Sequence, residues 1–127
     1  MSPLKAPDVD LLFEAILTLK TPEDCYAFFE DVCTIKEVQD MAQRFNTAIL
    51  LRKGENYNTI SREVGVSTAT ISRVNRCLQY GADGYSRALD RMGITKNEKY
   101  QEPSSGGRSH GSGKQIPYAV KDKPYVY

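Results

Sequence analysis

The sequence predicts an all-α fold, and three observations support this prediction. Apolar residues recur every three or four positions through much of residues 10–93, which is the period of an amphipathic helix. Helix-capping residues precede these runs, and glycines follow them. No segment shows the strict polar–apolar alternation that is typical of a half-buried strand. We therefore assign residues 1–95 to one helical domain.

Three helices are expected in the first half of the chain. The first covers residues 10–19, a run rich in strong helix formers. Thr21 can cap the second helix, since a proline and two carboxylates follow it. Thr34 and Glu37 form a capping box at the start of the third helix, which is the longest. We expect this helix to end near Gly54.

The helical pattern ends well before the C-terminus. Gly81 is a natural C-terminal cap, and Asp83 can begin a last helix over residues 84–92. From residue 96 onwards Gly, Ser, Pro, Lys and Tyr dominate, so residues 96–127 are predicted to be a disordered tail. The tyrosines and lysines of this tail either make weak contacts with nucleic acid or a protein partner, or have no specific role.

Charge is distributed unevenly along the chain, although the net charge is only +1. Residues 1–40 contain nine acidic and three basic residues, whereas residues 41–95 contain four acidic and eight basic residues. Residues 96–127 contain three acidic and six basic residues. The middle third is therefore suited to a phosphate backbone, and the acidic first third is not.

The composition does not support several classes of protein. No run approaches the roughly 18 consecutive apolar residues of a membrane span, and no secretory signal is evident, so a cytoplasmic location is expected. The three cysteines, Cys25, Cys33 and Cys77, do not form a CxxC motif, and we expect them to be buried and reduced. No metal site is expected, because the single histidine, His110, lies in the tail. The sequence contains neither a nucleophile elbow nor a phosphate-binding glycine loop, so we do not expect an enzyme.

The strongest motif is a helix-turn-helix over residues 57–80. Gly65 can adopt the positive φ that ends the first helix, and Ser67 can cap the second. Ser61 is small, which lets the second helix pass close to the first. Five apolar residues are predicted to be buried between the two helices and at the corner: Ile60, Val64, Val66, Ile71 and Val74.

The start of the second helix of this motif is suited to the major groove of DNA. Its short side chains let the backbone approach base edges, where Thr can hydrogen-bond and Ala can touch the thymine methyl group. No acidic residue occurs between Glu63 and Asp83, so this helix has no like-charge repulsion with DNA. The predicted DNA-binding residues, of which the first four are expected to reach phosphates, are Tyr57, Asn58, Ser61, Arg62, Ser67, Thr68, Ala69, Thr70, Arg73 and Arg76.

Two questions stay open at this point. Phe28, Leu50 and Leu51 widen the apolar faces of the second and third helices, and a three-helix segment of this size buries too little surface alone. These faces either form a homodimer or pack against later helices of the same chain. The helical hairpin, likewise, either binds DNA or serves as a protein-interaction module.

Several stretches resemble proteins of the Trp repressor superfamily. Residues 68–73 (TATISR), preceded by GVS, resemble the recognition helix of that superfamily. The stretches DMAQR, STATISRV and CLQYG are similar to its YerC/YecD subgroup of Trp-repressor-like proteins. The resemblance spans residues 10–93. It implies an intertwined, all-helical homodimer whose two recognition helices enter successive major grooves, and it implies transcriptional regulation, with repression as the expected outcome.

The resemblance also implies where an effector would bind. Arg44 and Arg73 fall at the positions of two arginines that help to hold tryptophan in Trp repressor, if the insertion near Gly54 is placed after the long helix. Val74 stands where the repressor has a glycine, and Cys77 where it has a serine. A branched side chain would enter the indole space, and a thiol accepts poorly from an ammonium group. We therefore expect no tryptophan corepressor and no other cofactor.

Two alternatives follow for this effector position. Either no small ligand binds there, or a different ligand binds in a pocket lined by Arg44, Arg73 and Cys77. If no ligand binds, Arg44 instead forms an ion pair on the helix surface or at the edge of the core.

Overall fold

The computed structural model of the protein describes residues 2–95, which form six α-helices. The helices are α1 (Pro7–Ile16), α2 (Pro22–Val32), α3 (Ile35–Arg52), α4 (Tyr57–Val64), α5 (Thr68–Tyr80) and α6 (Gly84–Arg91). This part of the chain contains no strand, so the prediction of an all-α fold is confirmed. None of its helices has the length and apolar character needed to cross a membrane. The predicted tail lies outside the described residues.

Helix α1 begins and ends three residues earlier than the sequence predicted. Pro7 occupies the first turn, where its missing N–H costs no helical hydrogen bond. Asp8 and Asp10 add negative charge at the positive end of the helix dipole. At the other end, the Thr18 hydroxyl donates to the Ala15 carbonyl at 2.7 Å. The predicted span of residues 10–19 did not take account of Pro7 at the start of the helix or of the Thr18 hydrogen bond at its end.

The capping residues of α2 and α3 lie where the sequence predicted them. The Thr21 hydroxyl accepts from the Asp24 backbone N–H at 3.0 Å. Thr34 and Glu37 form the predicted capping box, in which the two side chains accept from each other's backbone N–H at 3.1 and 2.8 Å. Both caps satisfy donors that the first helical turn leaves without an intrahelical partner.

The chain divides into two compact units, Met1–Val38 and Gln39–Tyr127. In the described part of the first unit, no residue is buried. Large apolar side chains are exposed there, and Leu17 is 83% accessible. By itself, this unit therefore leaves the apolar faces of its helices uncovered.

The second unit contains the buried core of the described residues, which consists of two clusters. The first cluster joins α3, α5 and α6 and contains Ala48, Ile49, Val74, Leu89 and Ile94. The second joins α3, α4 and α5 and contains Leu50, Ile60, Val66 and Ile71. Helix α3 contributes to both clusters, so it holds the helix-turn-helix and α6 on one support.

Arg52 connects the end of α3 to the end of α6. Its side chain is almost entirely buried, and Nη1 lies 2.9 Å from the Asp90 carboxylate. The same nitrogen donates to the Ile94 carbonyl at 3.1 Å. A buried guanidinium needs such partners, because an unpaired charge in a protein interior is strongly unfavourable.

The connection between α5 and α6 follows the sequence prediction at Gly81 and departs from it at Asp83. Gly81 caps α5, and its backbone there is extended. Glycine is required there by space, since a Cβ would lie 2.5 Å from the Cys77 carbonyl oxygen. Asp83 precedes α6, but its side chain makes no capping hydrogen bond. Its carboxylate lies 3.6 Å from Arg87 instead.

The expected burial of the three cysteines is wrong. Cys25 and Cys77 are exposed and Cys33 is half-buried, and all three are free thiols. Cys25 and Cys33 belong to the first unit, in which no described residue is buried, and Cys77 lies on the exposed side of α5.

Candidate nucleic-acid interface

The turn between α4 and α5 has the geometry that the sequence predicted. Gly65 adopts φ +85°, in the left-handed region, and its N–H donates to the Ser61 carbonyl. A Cβ at this position would meet nothing within 4 Å, so the backbone conformation, and not the space, favours glycine. The Ser67 hydroxyl then caps α5 by accepting from the Thr70 N–H at 3.1 Å.

Apolar residues hold this corner in place from beneath. Ile60 and Ile71 are fully buried and pack with Leu50 of α3. Val66 fills the corner, as predicted, and Val64 is half-buried against the same cluster. The predicted stripes are therefore confirmed, except that Val74 belongs to the other cluster, with α6. Helix α5 is consequently anchored on two sides of its buried face.

Ser61 has an internal role in the turn. Its hydroxyl donates to the Val66 carbonyl at 2.7 Å, and the residue is half-buried. A hydroxyl has one proton, so this donor is used inside the corner and is not available to a phosphate oxygen. We leave Ser61 out of the proposed contact surface for this reason.

The other capping hydroxyl is also engaged. Besides accepting from the Thr70 N–H, the Ser67 hydroxyl donates to Thr70 Oγ1 at 3.2 Å. Thr70 Oγ1 accepts this bond and keeps its own proton. Of these two predicted DNA-binding side chains, Thr70 therefore retains a donor, and Ser67 serves the helix cap.

One continuous face of α5 is exposed. Successive residues of an α-helix are 100° apart, so Thr68, Ala69, Ser72, Arg73 and Arg76 share one side of the helix, opposite Ile71 and Val74. All five are exposed. The sequence interpretation missed Ser72, although its position between Thr68 and Arg76 on a helical wheel would have identified it.

The start of α4 lies beside this face. The Asn56 side chain, which the sequence interpretation also missed, caps α4 by accepting from the Thr59 N–H at 2.8 Å. Tyr57 is half-buried, and its hydroxyl accepts from Asn75 Nδ2 of α5 at 3.2 Å. Asn58 and Arg62 are exposed. Of the predicted phosphate-contacting residues of α4, Asn58 and Arg62 are thus exposed, whereas Tyr57 and Ser61 are half-buried.

Electrostatics favour an anionic partner for this exposed face of α5. The only charged residues between Glu63 and Asp83 are Arg73 and Arg76, and both are exposed. Together with Arg62 of α4 they supply three accessible guanidinium groups in the helix-turn-helix. Such groups bind phosphate oxygens, and their charge persists over the physiological pH range.

The residues predicted to line an effector pocket surround a tyrosine that the sequence interpretation missed. Arg44, Arg73 and Cys77 all lie close enough to the Tyr85 hydroxyl to act on it electrostatically. Burial raises the pKa of Tyr85, an effect that Cys77 reinforces and the two arginines oppose. Arg44 and Cys77 themselves are exposed. Among residues 2–95, no group of three or more His, Cys, Asp or Glu side chains could hold a metal ion.

Residues 7–93, from the start of α1 to the glycine after α6, match the family model described as Trp repressor protein. The chain belongs to the Trp repressor family. The uncharacterized protein YerC from Bacillus subtilis strain 168 is 54% identical over 95 residues, which cover 75% of this chain and 91% of YerC. The resemblance to YerC-type, Trp-repressor-like proteins is therefore confirmed.

Two solved structures support the same membership of the Trp repressor family. A TrpR-like protein from Eubacterium eligens ATCC 27750 superposes with a TM-score of 0.71 at 51% identity and covers 74% of this chain and 97% of its own. A candidate Trp repressor from Staphylococcus aureus has the same TM-score and identity and covers 74% of this chain and 94% of its own. Membership of the Trp repressor family indicates a DNA-binding regulator as the class of function.

Proposed function

We propose that this protein is a transcriptional repressor that binds DNA in the cytoplasm as a homodimer and does not require tryptophan. The observation that carries the proposal is the exposed face of α5 from Thr68 to Arg76, which lacks acidic residues and begins at a capped, rigid corner. An α-helix presented in this way fits the width of the major groove.

Within this proposal, the two ends of the exposed face have different roles. Thr68 and Ala69, in the first turn of α5, contact base edges, where their short side chains permit a close approach. Arg73 and Arg76 lie further along the same face and neutralise phosphates together with Arg62. The hydroxyl of Tyr57 and the amide of Asn58 supply further phosphate contacts at the start of α4.

The uncovered first unit supports the homodimer. Since none of its described residues is buried, the free energy available from its apolar side chains is not realised within one chain. A second copy of the chain would cover these faces and would place two α5 helices on one DNA site. A symmetric dimer requires a site with two-fold symmetry.

The DNA-binding proposal is tested by fluorescence anisotropy on duplexes selected from a random pool, over a series of salt concentrations. Replacing both Arg73 and Arg76 with Ala removes two phosphate contacts from each protomer and should therefore reduce the slope of log K against log salt by about 4 for the dimer, one per lost contact. Arg91→Ala, at the end of α6, is the charge-matched control and should leave the slope unchanged. Salt-insensitive binding to a protein partner, without affinity for any duplex, would instead support a protein-interaction module.

The homodimer is tested by sedimentation velocity of the full chain. Leu11 and Leu17 of the first unit are 66% and 83% accessible, and replacing both with Glu should shift the protein from dimer to monomer, because charges at an apolar interface cannot be desolvated cheaply. Glu14→Lys is the control on the same region of α1 and should leave the dimer intact. A monomeric wild-type protein would contradict the proposal.

A further inference from the structure

Tyr85 joins α6 to α3 by an aromatic contact. Its ring stacks on Phe45, with centroids 6.2 Å apart and an interplanar angle of 27°. Both rings pack against the buried cluster that contains Val74 and Leu89. The Tyr85 hydroxyl, at the other end of the ring, lies within electrostatic range of the Arg44 guanidinium. The ring thus stacks on an aromatic neighbour at the edge of the core, and its oxygen lies near a cation.

The surroundings of Tyr85 have the chemistry that a bound aromatic amino acid would need. Such a ligand requires an apolar surface for its ring and a guanidinium for its carboxylate. Phe45 and Arg44 provide these, and Arg73 lies within electrostatic range. However, the chain's own tyrosine already stacks on Phe45, and its hydroxyl lies within electrostatic range of Arg44.

Tryptophan itself does not fit these residues as they are arranged. Val74 is only 1% accessible and its side chain is part of the core cluster. The space that a smaller residue would leave for an indole ring at this position is therefore filled by the valine side chain. The aromatic surface of Phe45 is covered by Tyr85. Cys77 is exposed, but a thiol is a weak acceptor for an ammonium group.

We propose that Tyr85 is an intramolecular ligand, which takes the place of a free aromatic effector between α3 and α6 and keeps α5 in its DNA-binding position. This proposal rests on the proposed DNA-binding function. A ligand can shift an equilibrium only by its difference in affinity for two states. Because Tyr85 is tethered beside Phe45 and Arg44, its effective concentration is on the order of millimolar or higher, and a free amino acid gains nothing by competing.

The first test measures DNA binding by the full wild-type protein with and without about 1 mM tryptophan or tyrosine, a concentration that would saturate an ordinary effector site. We expect the Kd for DNA and the melting temperature to be unchanged by either amino acid. A gain in DNA affinity on adding tryptophan would overturn the proposal.

The second test removes the intramolecular ligand. Tyr85→Ala should weaken DNA binding by about tenfold, since the competent orientation of α5 becomes a minor state. Addition of p-cresol, which is the tyrosine side chain as a free molecule, should restore binding in this variant and have no effect on the wild type. Tyr80→Ala is the matched control, because Tyr80 is 75% accessible at the end of α5, and this variant should behave like the wild type.

The outcomes separate the two proposals. If the wild type binds no duplex, the proposed function fails, and the Tyr85 proposal is still decided by whether p-cresol raises the melting temperature of Tyr85→Ala but not of the wild type. If Tyr85→Ala binds DNA as tightly as the wild type, the Tyr85 proposal is wrong and the proposed function stands.

If Tyr85→Ala does not fold, Tyr85→Phe replaces it. That variant keeps the ring, so it should bind DNA to within about threefold of the wild type and stay insensitive to tryptophan, and a response to tryptophan would overturn the proposal.

Discussion

Asn75 of α5 donates a hydrogen bond of 3.2 Å to the hydroxyl of Tyr57 at the start of α4. The Tyr57 oxygen is the acceptor in this bond, so its own proton remains available to a further partner. In the proposed complex that partner is a phosphate oxygen. Asn75 is half-buried and is therefore a positioning residue, which orients Tyr57 without contacting DNA itself.

Removal of either member of this pair should weaken DNA binding through the same contact. Asn75→Ala and Tyr57→Phe are each expected to lower affinity by about ten- to a hundredfold, the effect of one hydrogen bond lost from each protomer of the dimer. Their losses should not add in the double variant, because residues that share one interaction are coupled. Anisotropy titrations of the three variants at one salt concentration measure this coupling, and fully additive losses would contradict the positioning role of Asn75.

Ser72 should be as sensitive to a negative charge as its neighbours on the exposed face of α5. Ser72→Asp is expected to reduce DNA affinity by about a hundredfold at low salt, through repulsion from phosphates. Gln79→Glu introduces the same charge on α5 about two turns further from its N-terminus and should have a much smaller effect. Equal losses for the two variants in the same binding assay would show that overall charge, and not the position of Ser72, determines affinity.

The left-handed backbone at Gly65 predicts a stability difference between two glycines. Gly65→Ala should destabilise the protein by about 1–2 kcal/mol, because a Cβ is unfavourable at positive φ. Gly84→Ala is the control, since a Cβ there also meets nothing within 4 Å but lies in a helix, where Ala is preferred by up to about 1 kcal/mol. Urea unfolding of both variants tests this difference, and similar destabilisation by both would contradict the explanation based on φ.

The environment of Tyr85 predicts a loss of stability at alkaline pH. Burial raises the pKa of the Tyr85 hydroxyl above its ordinary value of 10.0, so the folded state favours the neutral phenol. Its contribution to stability is fully present below pH 10 and is lost as the pH rises through the folded-state pKa. The Tyr85→Phe variant has no ionisable group at residue 85 and should therefore lose less stability as the pH rises above 10. Thermal unfolding of both proteins across this pH range provides the measurement, and parallel curves would contradict it.

Local signals in the sequence predicted much of the helix-turn-helix correctly. Ser67 caps α5 and Gly65 ends α4, because capping and positive φ depend on the residue itself and its immediate neighbours. The burial of Ile60 and Ile71 followed from helical periodicity alone. By contrast, the predicted span of α1 was displaced, because Pro7 was not recognised as its first helical residue.

The sequence by itself determined the number and order of the helices, the caps at Thr21, Thr34 and Ser67, the corner at Gly65 and the acid-free face of α5. The tertiary structure decided which polar atoms on those helices are already in use. Ser61 donates to the Val66 carbonyl, and Asn75 donates to the Tyr57 hydroxyl. The physical reason is that a helix cap depends on dihedral angles within one turn, whereas these side chains meet only after packing has set the turn and brought separate helices together.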